Sequence, residues 1–273
     1  MSPSPFRPDL FVGRVALLTG GGTGITRGIA EALAAHGADT VLVSRKADHV
    51  RPAAASIAGR HGTRCLACEA DVRDPSAVEA ATSRAVAEFG RLDILVNGAA
   101  GNFPCPSGDL SPNGFAAVLD IDAKGTWHAC RAAFHARMKE HGGSILNLSA
   151  TLHYGGTPGQ VHVAAAKAAV DALTRTLAVE WGPLGIRSNA IAPGPIGDTE
   201  GARRLFPGEE GVRLAMTVPT RRLGTIDDIA RLALFVLSDA GSNLNGAIIP
   251  SDGGLRLVVG FGPGPSAGAG PRP

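Results

Sequence analysis

The chain has no charge excess of either sign. Its 26 Lys and Arg residues stand against 24 Asp and Glu, a formal net charge of +2, and no basic block gathers anywhere. Nucleic acid and anionic membrane are therefore disfavoured as main partners, although a local positive site for a phosphorylated ligand stays open. No apolar run approaches the roughly 18 residues of a membrane span. The opening stretch, Met1 to Pro8, is rich in Pro and Ser instead of apolar residues, which argues against a secretory signal. The closing Ala-Gly-Pro-Arg-Pro is not a peroxisomal Ser-Lys-Leu address. A soluble cytoplasmic protein is the expectation. Cysteine is scarce: Cys65, Cys68, Cys105 and Cys130. The first two have C-x-x-C spacing, but no second pair follows to close a four-thiolate zinc site. On a strand, residues three apart point to opposite faces, so the pair reads as buried structural cysteines. None of the eight histidines has a partner at metal-ligand spacing, and no metal is expected. His128 and His135 share a helix face but are too far apart to chelate together. Tyrosine occurs once, at Tyr154.

What is present is enough apolar material, 44% of 273 residues, to bury a substantial core. Short apolar runs at 15–18, 41–43, 94–96, 145–148, 186–191 and 247–249 read as strands. Most are continuous instead of alternating, which suits a parallel sheet covered on both faces. Helical stretches lie between them. One at 25–36 stops at Gly37. A second opens at Asp74-Pro75, an N-cap followed by proline at the first helical position, and runs to Phe89. Two long ones are expected at 120–141 and 160–181. The β-α-β-α rhythm implies an α/β fold, a single Rossmann-type doubly wound parallel sheet flanked by helices. The domain is expected over 10–259, between a flexible segment at 1–9 and a Gly/Pro-rich, disordered tail at 260–273. The alanines of the 160–181 helix serve either packing within one subunit or a subunit interface. A homo-oligomer, dimer or tetramer, is expected.

The strongest motif is Thr19-Gly20-Gly21-Gly22-Thr23-Gly24-Ile25, placed between the first strand and the first helix. Glycines there permit a tight turn and let backbone N–H groups approach a pyrophosphate, and the helix N-terminus favours the anion. Gly20, Gly22, Thr23, Gly24 and Ile25 are the candidate contacts. The second strand ends in Arg45 and Lys46, where a site for a free ribose 2′-hydroxyl would place an acid. Two cations suit a 2′-phosphate, so NADPH is the expected cofactor. Asp71 and Val72 are placed to meet the adenine. Asn97 and Ala99 can line the cofactor, and Pro193, Gly194 and Ile196 can meet the nicotinamide. All these loops fall at strand C-terminal ends, where open α/β sheets bind ligands.

The order Thr-Gly-x-x-x-Gly, Asn97-Gly98-Ala99-Ala100, Lys167 and Pro193-Gly194-Pro195-Ile196 resembles a short-chain dehydrogenase/reductase over about Leu10 to Gly254. In the first turn, Thr26 stands where the family usually has a third glycine, and its side chain would crowd the helix against strand or cofactor. The family implies an Asn-Ser-Tyr-Lys catalytic set. Counted against Lys167, the tyrosine position holds Val163 and the serine position Ala150. The asparagine position, ahead of Gly125, holds Asp122. Only the lysine remains. This pattern of loss is similar to the 2,4-dienoyl-CoA reductases. The peroxisomal type in particular is resembled by Ala99-Ala100-Gly101-Asn102-Phe103, Asp120-Ile121-Asp122, Ala150-Thr151-Leu152, Val161-His162 and Ala178-Val179-Glu180-Trp181-Gly182-Pro183.

That resemblance implies NADPH-dependent reduction of a 2,4-dienoyl-CoA thioester to a 3-enoyl-CoA in unsaturated fatty acid β-oxidation, with an acyl-CoA as the partner. Hydride arriving at the far end of the conjugated system leaves charge on the thioester oxygen, so no phenol need protonate a ketone. Three residues are the catalytic candidates. Lys167 would hold the nicotinamide ribose and supply positive potential. Asp122 would either orient a proton-donating water or be the acid itself. Tyr154, placed after Ser149 as in the mitochondrial-type enzymes, would hydrogen-bond the thioester oxygen. Phe103 is expected to pack on the acyl chain, and Arg73, Arg203 and Arg204 to pair with CoA phosphates. Asp252 is a weaker candidate to face the site, and His162 is read as a packed helix-start histidine. Two alternatives stand beside this reading: an ordinary carbonyl or alcohol oxidoreductase of the same fold, and a non-catalytic dinucleotide sensor.

Overall fold

A computed structural model describes residues 4–258, apart from residue 206 and the side chains of Arg204 and Leu205. The expected tail at 260–273 lies outside the described residues. Of the segment expected to be flexible, 1–9, the described part lies against the first helix. Phe6 packs on the core, and Ser4 Oγ is 2.9 Å from His36 Nε2.

Seven strands form one parallel sheet in the order β3-β2-β1-β4-β5-β6-β7. The chain runs β1 (Val15–Thr19), α1 (Gly24–Ala35), β2 (Asp39–Ser44), α2 (Ala47–His61), β3 (Cys65–Glu69), α3 (Pro75–Phe89) and β4 (Ile94–Asn97). The order reverses between β1 and β4, which opens a crevice at the strand C-termini. The second half runs α4 (Pro112–Leu119), α5 (Gly125–Ala133), α6 (Lys139–His141), β5 (Gly143–Leu148), α7 (Val161–Trp181) and β6 (Ile186–Pro193). It ends with α8 (Glu200–Leu205), α9 (Glu209–Thr217), α10 (Ile226–Leu237) and β7 (Ile248–Ser251).

The two sheet faces bury separate cores. Along β1, Ala16 and Leu18 face α1, α2 and α10, meeting Ile29, Leu33, Ile57 and Leu234. Val15 and Leu17 face α3, α5 and α7, meeting Val78, Ala85, Cys130 and Leu177. Each large aliphatic side chain so buried contributes about 1.5–3 kcal/mol, which explains why the strands read as unbroken apolar runs. The cysteine pair divides between these layers as its spacing requires. Cys68 is buried in one, while Cys65 packs partly buried against the other and accepts a hydrogen bond from Thr40 Oγ1 at 3.0 Å. Burial pushes both thiols above the ordinary cysteine range.

Asp74 caps α3 as its position predicts, accepting from the Ser76 amide at 2.9 Å. One helix differs from expectation. The stretch expected to begin at 120 begins at Pro112, capped by Ser111, whose hydroxyl accepts from the Gly114 amide. Ser-Pro here repeats the signal of Asp-Pro at α3. The helix then widens into a π-helical turn over Asp120–Lys124 before α5, and again over Phe134–Met138. Such turns recur at functional sites, and the first carries Asp122.

Candidate active site

The glycine-rich turn is built for close approach. Gly20 has φ of +72°, and its amide donates to Val43 O at 2.8 Å. A Cβ there would come within 2.7 Å of Gly98 O. Gly22 backs onto His49, 3.0 Å from an added Cβ. Thr23 occupies the N-cap of α1 without a side-chain cap bond, so the first amides of α1 remain available to an anion. Thr19 Oγ1 accepts from the amides of Gly98 and Ala99 at 3.2 and 3.4 Å, which ties the ends of β1 and β4 together beneath the crevice. Arg45 and Lys46 are exposed at the end of β2. These residues fit a phosphate-bearing dinucleotide: a glycine cradle, a helix N-terminus and two outward cations.

Other expected contacts are arranged differently. Asp71 is gripped by Arg73, whose Nη2 and Nε donate to Oδ2 at 2.5 and 3.0 Å, and this holds the Asp71 carboxyl below the usual range. The Arg73 fork is therefore engaged by Asp71. Val72 is buried and packs on Gly125. The Asn97 side chain turns into the core, donating to Asn147 Oδ1 at 2.8 Å and meeting Cys130 Sγ at 3.2 Å. Asn147 passes the chain on to Thr174 Oγ1. Pro193 ends β6, Gly194 abuts Asp252, and Ile196 is buried beside Gly224.

The structure joins Asp122 and Lys167, which the sequence separates widely. Asp122 is 1% exposed and Lys167 7%. Lys167 Nζ donates to Leu148 O at 2.9 Å and lies 2.9 Å from Asp122 Oδ2. Asp122 Oδ1 accepts from the Gly101 amide at 2.7 Å. Oδ2 meets the ammonium as an ion pair outside hydrogen-bond alignment and has no other hydrogen-bond partner among the described residues. Oδ2 is thus a buried acceptor that the ammonium neutralises but no described donor satisfies. Val163, at the phenol position, is buried in an apolar cluster with Val118 and Ala166, flanked by Leu119 and Leu152.

Tyr154 is not brought to this pair. It is exposed, and its ring edges against His153 at 4.5 Å. Partial burial and the neighbouring Asp171 push its phenol up. No described bond links it to Asp122 or Lys167. Beneath it lies a group that sequence reading missed. The buried Asp171 accepts from Ser149 Oγ at 2.5 Å, with His153 Nε2 2.9 Å from its other oxygen. Asp252 accepts from Arg256 and from the Gly254 amide.

Phe103 is 38% exposed on the loop after β4. His162 is fully buried, as a packed histidine should be, and it also anchors that loop. Its Nε2 is 2.9 Å from Phe103 O, so the ring donates there, and the two rings lie 4.5 Å apart. Arg203 is exposed on α8 and bonds Asp198 O at 2.9 Å. The Arg204 side chain lies outside the described residues, as does Phe206.

A family model described as enoyl-(acyl carrier protein) reductase, of the short-chain dehydrogenase type, matches residues 20–256. The chain belongs to the short-chain dehydrogenase/reductase family. Short-chain dehydrogenases use a nicotinamide dinucleotide, and the glycine cradle fits one. Relatives include peroxisomal 2,4-dienoyl-CoA reductases of the (3E)-enoyl-CoA-producing type. That of Pongo abelii is 49% identical, over 93% of this chain and 87% of its own. That of Arabidopsis thaliana is 44% identical, over 93% and 88%. A short-chain dehydrogenase structure from Bacillus anthracis is 40% identical with a TM-score of 0.85, covering 91% of this chain and 98% of that one. The cytoplasmic expectation is overturned by these relatives. Those relatives are named as peroxisomal enzymes. An address is read by a receptor and does not follow from bulk composition. No helix among the described residues is long and apolar enough to cross a membrane.

Proposed function

We propose that this short-chain dehydrogenase/reductase is an NADPH-dependent 2,4-dienoyl-CoA reductase that yields 3-enoyl-CoA. The observation that carries the reading is the buried Asp122–Lys167 pair beside an apolar cluster at the phenol position. A ketone reductase needs an O–H donor at that position, and Val163 has none. The (3E)-enoyl-CoA-producing activity in the names of the relatives agrees with this chemistry.

The dinucleotide, when bound, supplies the hydride. Addition at C5 of the dienoyl group moves electron density onto the thioester oxygen. Lys167 sets positive potential in a water-poor site, where preorganised charge is most effective. Asp122 faces an ammonium and so acts as an anion. On this reading Asp122 orients a water that protonates C2, leaving the double bond between C3 and C4. Gly101 N–H and Leu148 O hold the two partners in register. Arg45 and Lys46 support NADPH over NADH, since neither has an ion-pair partner among the described residues. On this reading the exposed Phe103 would pack on the acyl chain and the exposed Arg203 would meet the CoA phosphates. The outward face of α7 exposes Ala165, Ala168 and Ala172, which supports close approach of a second copy in a dimer or tetramer.

The test follows NADPH absorbance with 2,4-hexadienoyl-CoA and 2,4-decadienoyl-CoA, beside crotonyl-CoA and a simple ketone. Turnover of the dienoyl thioesters alone is expected. Turnover of the ketone without the dienoyl thioesters overturns the reading, and NADPH binding without turnover of any of the four makes the chain a sensor.

A further inference from the structure

The third glycine of a dinucleotide-binding turn lets helix and strand pack closely. Here that position is Thr26, in the first turn of α1 and 3% exposed. Its side chain points at Gly98, the residue that follows β4. A Cβ built on Gly98 would lie 1.9 Å from Thr26 Oγ1 and 3.0 Å from both Thr26 Cβ and Cγ2. Gly98 is not among the residues with positive φ, so its backbone does not call for glycine. The three nearest atoms to such a Cβ all belong to Thr26, so the space that Thr26 fills is what calls for glycine there.

Gly98 cannot retreat from that contact. Its amide is held by Thr19 O at 3.1 Å and Thr19 Oγ1 at 3.2 Å. Its carbonyl already faces Gly20, 2.7 Å from where a Cβ would sit. Pushing Gly98 off Thr26 therefore presses it into the glycine-rich turn, and pushing Thr26 away lifts the start of α1. Both displacements distort the cradle that receives the pyrophosphate.

We infer that Thr26 and Gly98 form a reciprocal pair, in which Gly98 supplies from β4 the clearance that α1 lacks and so fixes the spacing of the cofactor cradle. Thr26 is then a positioning residue matched to its partner, not a defect in the fingerprint. The functional side of this inference rests on the dinucleotide reading above.

The test is a cycle of four proteins: wild type, Gly98→Ala, Thr26→Gly and the double variant. NADPH and NADH dissociation constants are measured by titration at a temperature where each is folded, with thermal unfolding of all four and the KM for NADPH against that for dienoyl-CoA. Overpacking in Gly98→Ala is expected to weaken NADPH binding by about tenfold or more. The double variant should return to within about threefold of wild type, a non-additivity expected only of residues in contact. The loss should appear in the KM for NADPH and not in that for the acyl-CoA. Wild-type binding by Gly98→Ala overturns the inference, and so does a double variant no better than Gly98→Ala. If Gly98→Ala does not fold, a folded double variant supports the pairing and an unfolded one refutes it. Failure of wild type to bind either dinucleotide removes the cofactor reading alone. In that case the melting temperatures decide the pair, with additivity overturning it.

Discussion

Replacing Asp122 by Asn is the most informative single perturbation, because it changes charge while nearly preserving shape. The amide oxygen can still accept from Gly101 N–H, now 2.7 Å from Oδ1, so the loop after β4 keeps its tether. What is lost is the anion facing Lys167 Nζ at 2.9 Å, in a pair whose side chains are 0% and 9% exposed. Solvent screens so buried a pair very little. Removing one partner of a buried ion pair typically costs about 3–5 kcal/mol, because the other charge is stranded. Lys167 keeps its bond to Leu148 O at 2.9 Å, which places the expected loss at the lower end of that range. Loss of an oriented proton donor should lower kcat for dienoyl-CoA by about 10²–10⁴-fold. The assay pairs steady-state kinetics with denaturant unfolding. Adding Lys167→Met removes the stranded ammonium and should recover part of the stability, but no activity. A kcat for Asp122→Asn within about twofold of wild type refutes the role of the carboxylate, since that change is far below the ordinary contribution of acid–base catalysis.

Three further outcomes follow from the geometry. His162→Leu removes the donor to Phe103 O and should raise the KM for dienoyl-CoA by about tenfold, the worth of a buried hydrogen bond. His162→Gln, which can still donate, should recover most of that loss, and an unchanged KM in His162→Leu contradicts the anchoring role. Arg45→Ala with Lys46→Ala should cost NADPH about tenfold or more in affinity through lost charge-assisted bonds, with NADH little changed; dissociation constants for both cofactors check this. The third outcome concerns acid stability. Arg222 and the Thr225 cap hold Asp228 down from the ordinary 3.8 to about 2. The folded state thus binds this proton less readily than the unfolded chain. The stabilisation is complete above the ordinary carboxylate range and is lost as pH falls toward 2. Asp228→Asn should flatten the acid limb of a stability–pH curve between those limits, and an unchanged limb removes the assignment.

Much of the fold was legible because local chemistry and global packing agree. The apolar run at 15–18 is buried on both faces, and Asp74-Pro75 caps α3 as its residue types require. Lys167 was found by family spacing, and the loss of the phenol at Val163 was read directly. Relations between distant residues were not legible. Nothing in sequence shows that Asp122 Oδ2 meets Lys167 Nζ. Tyr154 fitted a spacing, but the chain after β5 carries it to His153 and Asp171. Arg73 looked free for a phosphate and is held by Asp71. Ser111-Pro112 was a readable start for α4, obscured by the apparent helix signal at Asp120. Thr26 looked like a flaw because the residue that leaves room for it, Gly98, lies far along the chain, just after β4.

The buried run of amides and hydroxyl from Asn97 through Asn147 to Thr174 has a consequence for how the chain finds its native arrangement. Asn97 stands directly opposite Asn147 in the β4–β5 ladder. Hydrocarbon neighbours would accept a slip of that ladder with little complaint, since Leu146 and Leu148 flank the asparagine. A shift by one residue strands both carboxamides, at about 1–3 kcal/mol for each polar group left unmet. The floor of the crevice thus rejects misaligned strands before any ligand arrives.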